Sequence, residues 1–324
     1  MSASVEGICS QFQRADRITG SSVREYRLVQ VDVFTGEIFG GNPLAVYPNA
    51  EGLDREEMQK IAREMNLSGT TFVLTPGSSE ADFKVRIFTP QREIPFAGHP
   101  VIGTCFVLGD EGRIGPKEGK RVTKLELGLG VFPVEVVYSG GKPVSAKMEQ
   151  RYPEFLGAYG EMELLARLLS LPLEKLDLLK GPAEVVSTGL PFLIVPITSQ
   201  RALSQAKINP SMLETVAQEL DTSLIALFTM DGLGGNRIRA RAFAPFHGVP
   251  EDPATGSAAG CLGAYLVRHG LIKGEPVTTV EIEQGLELRR PSLIKVELAF
   301  HEGTIHGVWV AGSAVKVLEG TIRF

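Results

Sequence analysis

The chain has 324 residues, 43% hydrophobic and 22% charged, with a formal net charge of −5 at pH 7. This is an ordinary globular composition, long enough for two cores. It excludes nucleic-acid binding through a basic surface, and no apolar run approaches the roughly 18–20 residues of a membrane span.

Residues 1–23 are polar and Ser-rich and lack the apolar stretch of a signal peptide, which predicts a disordered or loosely docked extension. Alternating, β-rich segments predict strands at 28–34 and 44–47, on either side of a Gly-rich turn from Gly36 to Pro43. A helix is expected at 53–65, with Leu53, Met58, Ile61, Ala62 and Met65 on one face and Asp54 as its cap. Strands at 70–74 and 83–88 lead to a loop from Thr89 to His99 and an apolar helix at 100–108. Strands at 123–127, 132–138 and 144–148 follow, the last two joined by a Ser139-Gly-Gly-Lys-Pro143 hairpin turn. Residues 151–182 read as a connection carrying a helix at 161–169. A second series then predicts strands at 184–187 and 192–195, a helix at 211–220, and strands at 224–228 and 237–243. A loop, a helix running to about residue 269 and strands near 277–283, 293–300, 305–310 and 315–323 complete it.

The second series repeats the first. Arg86, Phe88, Pro90 and Pro95 coincide with Arg241, Phe243, Pro245 and Pro250 at one offset, 155 residues. The same offset lays 58–65 on 213–220 and 122–130 on 277–285, and Cys105 meets Cys261 once one residue is inserted. Each half carries one helix that is apolar on most sides and therefore buried. A curved sheet or barrel around each central helix would bury it, so the expected fold is α+β with two pseudo-symmetric domains. Their expected limits are 24–145 and 146–313, with the closing strand, 314–324, available to the first. The cleft between them is the natural ligand site.

The stretch from Gly248 to Gly260 begins as a loop with two prolines and two carboxylates and ends in small residues suited to a helix start. A helix start leaves N–H groups unpaired and attracts anions. Asp252 has a plain alternative as a helix cap, and so does His99. If the halves approach one cleft, Gly98-His99 and Asp252 to Ser257 bring two helix starts to one ligand. The implied ligand is a small molecule carrying a carboxylate. Asn42 and Ser68 are weaker candidates, because Asn-Pro is first a turn signal and Ser68 also shapes a loop. Glu93 and Glu251 are expected as solvated carboxylates, and Arg86 and Arg241 as partners of structural carboxylates. Three cysteines, Cys9, Cys105 and Cys261, have neither disulfide nor zinc spacing, so buried thiols in a reducing cytoplasm are expected, with no metal.

Several of these segments together resemble the PhzF family, the phenazine-biosynthesis-like isomerases of the diaminopimelate epimerase fold. They are Val31-Asp-Val-Phe34, Gly41-Asn-Pro43, Asn66-Leu-Ser68 with Thr70-Thr-Phe-Val-Leu74, Phe96-Ala-Gly-His-Pro100 and Glu251-Asp-Pro-Ala-Thr-Gly-Ser257. The resemblance runs from about residue 28 onward. It implies two similar domains, a homodimer, no metal and no organic cofactor. It also implies an isomerase that moves a proton on a small unsaturated acid. His99 and Asp252 match the family's active-site histidine and aspartate, Ser257 its carboxylate-binding serine, and Gly98 and Gly256 its helix-start backbone positions. The epimerases place cysteines near these two points. Here the neighbours are Ala97 and Pro253, so a thiol mechanism is unavailable.

One position departs from the pattern. The family's catalytic glutamate falls where this chain has Gly69, in Leu67-Ser-Gly-Thr-Thr-Phe72. Loss of a general acid/base typically costs roughly 10²–10⁴ in rate. Three accounts stay open: proton transfer by Asp252 and His99 instead, a non-catalytic carboxylate-binding or regulatory protein on the same scaffold, or a reaction that orientation and electrostatics suffice to drive.

Overall fold

A computed structural model describes residues 23–115, 117–232 and 237–323. All of the extension expected at 1–23 except Val23, and Cys9 with it, lies outside the described residues.

The first half runs β1 (Glu25–Val33), β2 (Asn42–Tyr47), α1 (Arg55–Met65), β3 (Gly69–Leu74), β4 (Phe83–Phe88), β5 (Glu93–Ile94), α2 (Gly98–Asp110), β6 (Gly119–Leu127), β7 (Gly130–Ser139) and β8 (Lys142–Glu149). The second runs β9 (Glu154–Ala158), α3 (Met162–Leu168), β10 (Glu184–Ser187), β11 (Pro191–Pro196), α4 (Gln200–Gln205), α5 (Pro210–Leu220), β12 (Ile225–Thr229), β13 (Arg237–Ala244), β14 (Val249–Asp252), α6 (Gly256–Arg268), β15 (Val277–Gln284), β16 (Ser292–His301), β17 (Thr304–Gly312) and β18 (Ala314–Arg323).

The halves repeat in pairing as well as in order. In the first, β1–β2 is antiparallel, β2–β3 parallel, β3–β4 antiparallel, β4–β6 parallel, and β6–β7–β8 antiparallel. In the second, β10–β11, β11–β12, β12–β13, β13–β15 and β15–β16–β17 follow the same senses. β9 pairs with β10, β18 returns to pair with β1, and β8 pairs with β17 to join the two series. Asp54 caps α1 in a capping box with Glu57, as the sequence predicts. Both α1 and α5 end on a left-handed residue, Asn66 (φ 50°) and Asp221 (φ 52°), at equivalent positions.

Each sheet curls round one central helix. α2 packs on β1, β2, β3, β7 and β8 and is buried from Gly98 to Gly109, while α6 packs on β10, β11, β16 and β17 and is buried from Gly256 to Val267. One apolar core surrounds both helices, and two smaller clusters lie beneath α1 and beneath α3 to α5. β5, β9, β14 and α4 were not anticipated. β9 carries a positive-φ Gly157 and is mostly exposed, so no alternation marks it.

The cysteine alignment needs correction. α2 and α6 are each 13 residues long and begin at Gly98 and Gly256. Laying start on start puts Gly263, not Cys261, opposite Cys105. Three residues, not one, are inserted between the repeats. Both thiols are buried, and burial pushes them up, Cys261 to about 11. Among the described residues no helix is long and apolar enough to cross a membrane, and no His, Cys, Asp and Glu cluster is grouped to hold a metal.

Candidate active site

The two central helices meet end to end. A Cβ on Gly98 would lie 2.9 Å from the Gly256 Cα, and one on Gly256 would lie 3.1 Å from the Gly98 Cα. Backbone contact this close admits no side chain at either position. The N-cap residues, Ala97 and Thr255, make no side-chain cap. Asp252 and His99 are therefore not caps, which removes the bland reading of each. Two buried helix starts, with unfilled N–H groups and the positive ends of their dipoles, converge on one point. Phe34 supports them from beneath. It is fully buried at φ 64°, and its Cζ would lie 3.2 Å from a Gly256 Cβ. A bulky residue in that conformation is a strained one.

Around this point a buried polar network forms. Asn42 Nδ2 donates to Asp252 Oδ1 (2.8 Å) and to the Ala254 carbonyl (2.8 Å), and it lies 3.3 Å from His99 Nδ1. Ser68 Oγ donates to Asn42 Oδ1. Thr255 Oγ1 donates to Asp252 Oδ2 (2.6 Å), and Gln284 Nε2 donates to the Thr255 hydroxyl (3.0 Å) and the Asp252 carbonyl (2.7 Å). Asn42 is thus the hub rather than a turn residue alone. It is fully buried and stands behind the pocket wall, whereas Ser68, Gly98, His99, Asp252, Gly256 and Ser257 line the pocket. Thr255 and Gln284 escaped the sequence reading. Thr255 sits inside the motif already singled out, but no sequence signal marks Gln284, which reaches the site from β15.

Burial drives the two titratable groups in opposite directions. It pushes the Asp252 carboxyl up to about 6, against the hydrogen bonds from Thr255 and Asn42 that favour its charged form. It pushes His99 down to about 3. At pH 7 the ring is therefore neutral, which weakens the account in which His99 shares the proton transfer. The Asn42 amide nitrogen cannot accept a hydrogen bond, so a proton on the facing Nδ1 would have no acceptor there, and the ring proton is assigned to Nε2. That Nε2 is buried and has no partner.

It faces Gly69. A Cβ at residue 69 would lie 2.7 Å from His99 Nε2, 3.1 Å from Leu44 Cδ1 and 3.2 Å from Pro100 Cγ. The imidazole occupies the space that a side chain there would enter, so Gly69 is covered and does not line the pocket. Asp252 is the one carboxylate among the described residues lining it.

The pocket is built from equivalent pairs. Thr89 and Ala244, Ile94 and Val249, and Gly98 and Gly256 line it together, so it straddles the axis that relates the halves. Its volume is ≈ 60 Å³. Glu93 and Glu251, expected as solvated, are instead each clamped by an arginine. Arg86 Nε and Nη2 reach Glu93 at 2.7 and 2.8 Å, and Arg241 Nε and Nη2 reach Glu251 at 2.9 and 2.8 Å. These bidentate pairs hold β5 and β14, and with them the two motif loops, against β4 and β13.

Comparison with known proteins agrees with this architecture. The family model described as phenazine biosynthesis-like protein matches residues 31–320. The trans-2,3-dihydro-3-hydroxyanthranilate isomerase of Pseudomonas fluorescens is 36% identical over 301 residues, 92% of this chain and 99% of the relative. A Bacillus anthracis phenazine biosynthesis protein of the PhzF family superposes with a TM-score of 0.83 at 28% identity, covering 92% of this chain and 99% of that one. A hydroxyproline epimerase from Agrobacterium vitis superposes with a TM-score of 0.66 at 12% identity, covering 93% of each chain, a likeness of fold alone.

Proposed function

The chain belongs to the PhzF family of phenazine biosynthesis-like isomerases, and from that premise we propose that it is a cofactor-independent isomerase of a small unsaturated carboxylic acid. The observation that carries the reading is Asp252, a buried carboxyl pushed up to about 6 beside two uncapped helix starts. The substrate carboxylate lies at those helix starts, held by their amides and by the Ser257 hydroxyl. Asp252, ionised at neutral pH, takes a proton from a carbon conjugated with that carboxylate. The C–H electron pair moves into the conjugated system, and the developing negative charge meets preorganised N–H groups. Asp252 then returns the proton to a different carbon, and the double bond has moved. A group titrating near the working pH serves both steps. His99 stays neutral and acts by its position beside Asn42, not as an acid. Homodimerisation and a cytoplasmic location belong to the same proposal.

A second reading, a carboxylate-binding protein without turnover, is favoured by one observation. Position 69 has no side chain, and His99 fills its place. The two readings separate in D₂O. The enzyme washes deuterium into a ring or chain carbon of a bound unsaturated acid, and Asp252→Ala abolishes the exchange. A parent that binds such acids without exchange, and that gains exchange in Gly69→Glu, refutes the enzyme and supports the binder.

A further inference from the structure

The rim of the cleft holds a contact that the proton chemistry does not use. Arg92 and His247 occupy equivalent positions of the two repeats, 155 residues apart, and their side chains meet: Arg92 Nη2 is hydrogen-bonded to His247 Nε2. Beside them, Gln91 packs against Gly248, where a Cβ would lie 2.6 Å from Gln91 Cγ. A position can touch its own equivalent only near the axis relating the halves. Gly98 and Gly256 do so at the floor of the pocket, and Arg92 and His247 do so at its rim. His247 lines the pocket itself.

Two further facts bear on what this contact does. The space of ≈ 60 Å³ is well below the roughly 300–1,000 Å³ of small-molecule sites. A ligand of that size fits only when the walls of the pocket, the rim loops among them, move apart. Among the described residues no carboxylate pairs with Arg92, whereas the neighbouring Arg86 and Arg55 both pair with Glu93. Burial and the adjacent guanidinium hold His247 down to about 4, so a neutral ring nitrogen accepts from Arg92.

We propose that Arg92 and His247 form the gate of the cleft, and that Arg92, unpaired when the gate opens, captures the carboxylate of the incoming ligand. The closed contact uses a neutral acceptor rather than a carboxylate, so opening costs no ion pair, and the freed guanidinium faces the entry route. A cation at the mouth of a site with a positive floor raises the association rate of an anion, and salt screens the effect. When the rim loops close again, the return of Arg92 to His247 retains the ligand. Arg92 is thus a specificity-determining residue for anionic ligands, outside the proton-transfer machinery.

The capture step rests on the proposed carboxylate site; the gate does not. Hydrogen exchange on the ligand-free protein tests the gate. Arg92→Met and His247→Ala are expected to speed amide exchange in peptides covering 96–104 and 254–262 by roughly threefold to tenfold, with α1 and α5 unchanged. Unaltered exchange at both helix starts overturns the gate. Stopped-flow binding of anthranilate tests capture. The association rate in the parent falls with salt, and Arg92→Met lowers it severalfold at low ionic strength and flattens its salt dependence. An unchanged rate and salt slope in Arg92→Met overturns capture. A parent that binds neither anthranilate nor benzoate refutes the carboxylate site, and capture with it, while the exchange measurement still decides the gate.

Discussion

Replacing Gly69 by alanine tests whether His99 has moved into the place of a missing side chain. The new methyl would lie 2.7 Å from His99 Nε2 and little over 3 Å from Leu44 and Pro100. Overpacking a close-packed interior costs about 1–3 kcal/mol. Gly69 does not have a positive φ, so the smaller freedom of the unfolded chain returns about 0.4–1 kcal/mol. A net loss of up to about 2.6 kcal/mol, centred near about 1.3 kcal/mol, is expected. With His99→Ala in the background the closest clash is gone, and the methyl meets only Leu44 at 3.1 Å and Pro100 at 3.2 Å. Most of the loss should then disappear, giving a coupling of about 1–2 kcal/mol between the two positions. Urea unfolding of the four proteins at pH 7.5 measures this cycle. Additivity within about 0.5 kcal/mol would show that the imidazole does not block position 69, and the account of Gly69 given above would fail.

Two other outcomes follow from the same geometry. Asp252 titrates at 3.8 when unfolded and at about 6 when folded. The folded state therefore binds its proton more tightly, so this group's stabilisation is complete below pH 3.8 and is lost as pH rises through 6. Asp252→Asn should gain on the parent by about 3 kcal/mol between pH 3.5 and pH 8, read from urea midpoints; a pH-independent difference would contradict the buried carboxyl. The Arg–Glu clamps differ in burial: Arg241 is 7% exposed and also donates to the carbonyls of Leu203 and Ala206, while Arg86 is 22% exposed and donates hydrogen bonds to Glu93 alone. Arg241→Met should cost about 3–5 kcal/mol and Arg86→Met markedly less, by thermal or urea unfolding; equal costs would mean that burial does not set the strength of these pairs.

Much of this was legible in the residues. The constant offset from 58 to 130 predicts the repeated order of elements. The small, apolar segments after Gly98 and Gly256 predict two buried helices, because nothing polar gives either of them a solvent face. What stayed hidden depends on distant partners. Asn42 looks like a turn because Pro43 follows it, and its role comes from residues 57 and 210 positions away. Glu93 and Glu251 look solvated until β4 and β13 bring arginines beside them. The protonation of His99 is set by burial, which no local pattern records. The position of its ring against Gly69 is likewise a matter of packing between distant segments.

The return of β18 to β1 has a consequence for how the chain reaches this state. Glu25 finds its partner at Arg323 and Val33 finds Ala314, across nearly the whole sequence, while β9, which follows the first series directly, is committed to β10. The two series therefore cannot be completed one after the other. Until β18 arrives, the outer edge of β1 stays open, with its backbone groups unpaired and ready to template another strand. Closing so large a loop is slow, because its entropy is lost before its contacts form. Refolding should therefore pass through a species in which the rest of the sheet has formed and the β1 edge is bare, and self-association of that species should grow with protein concentration.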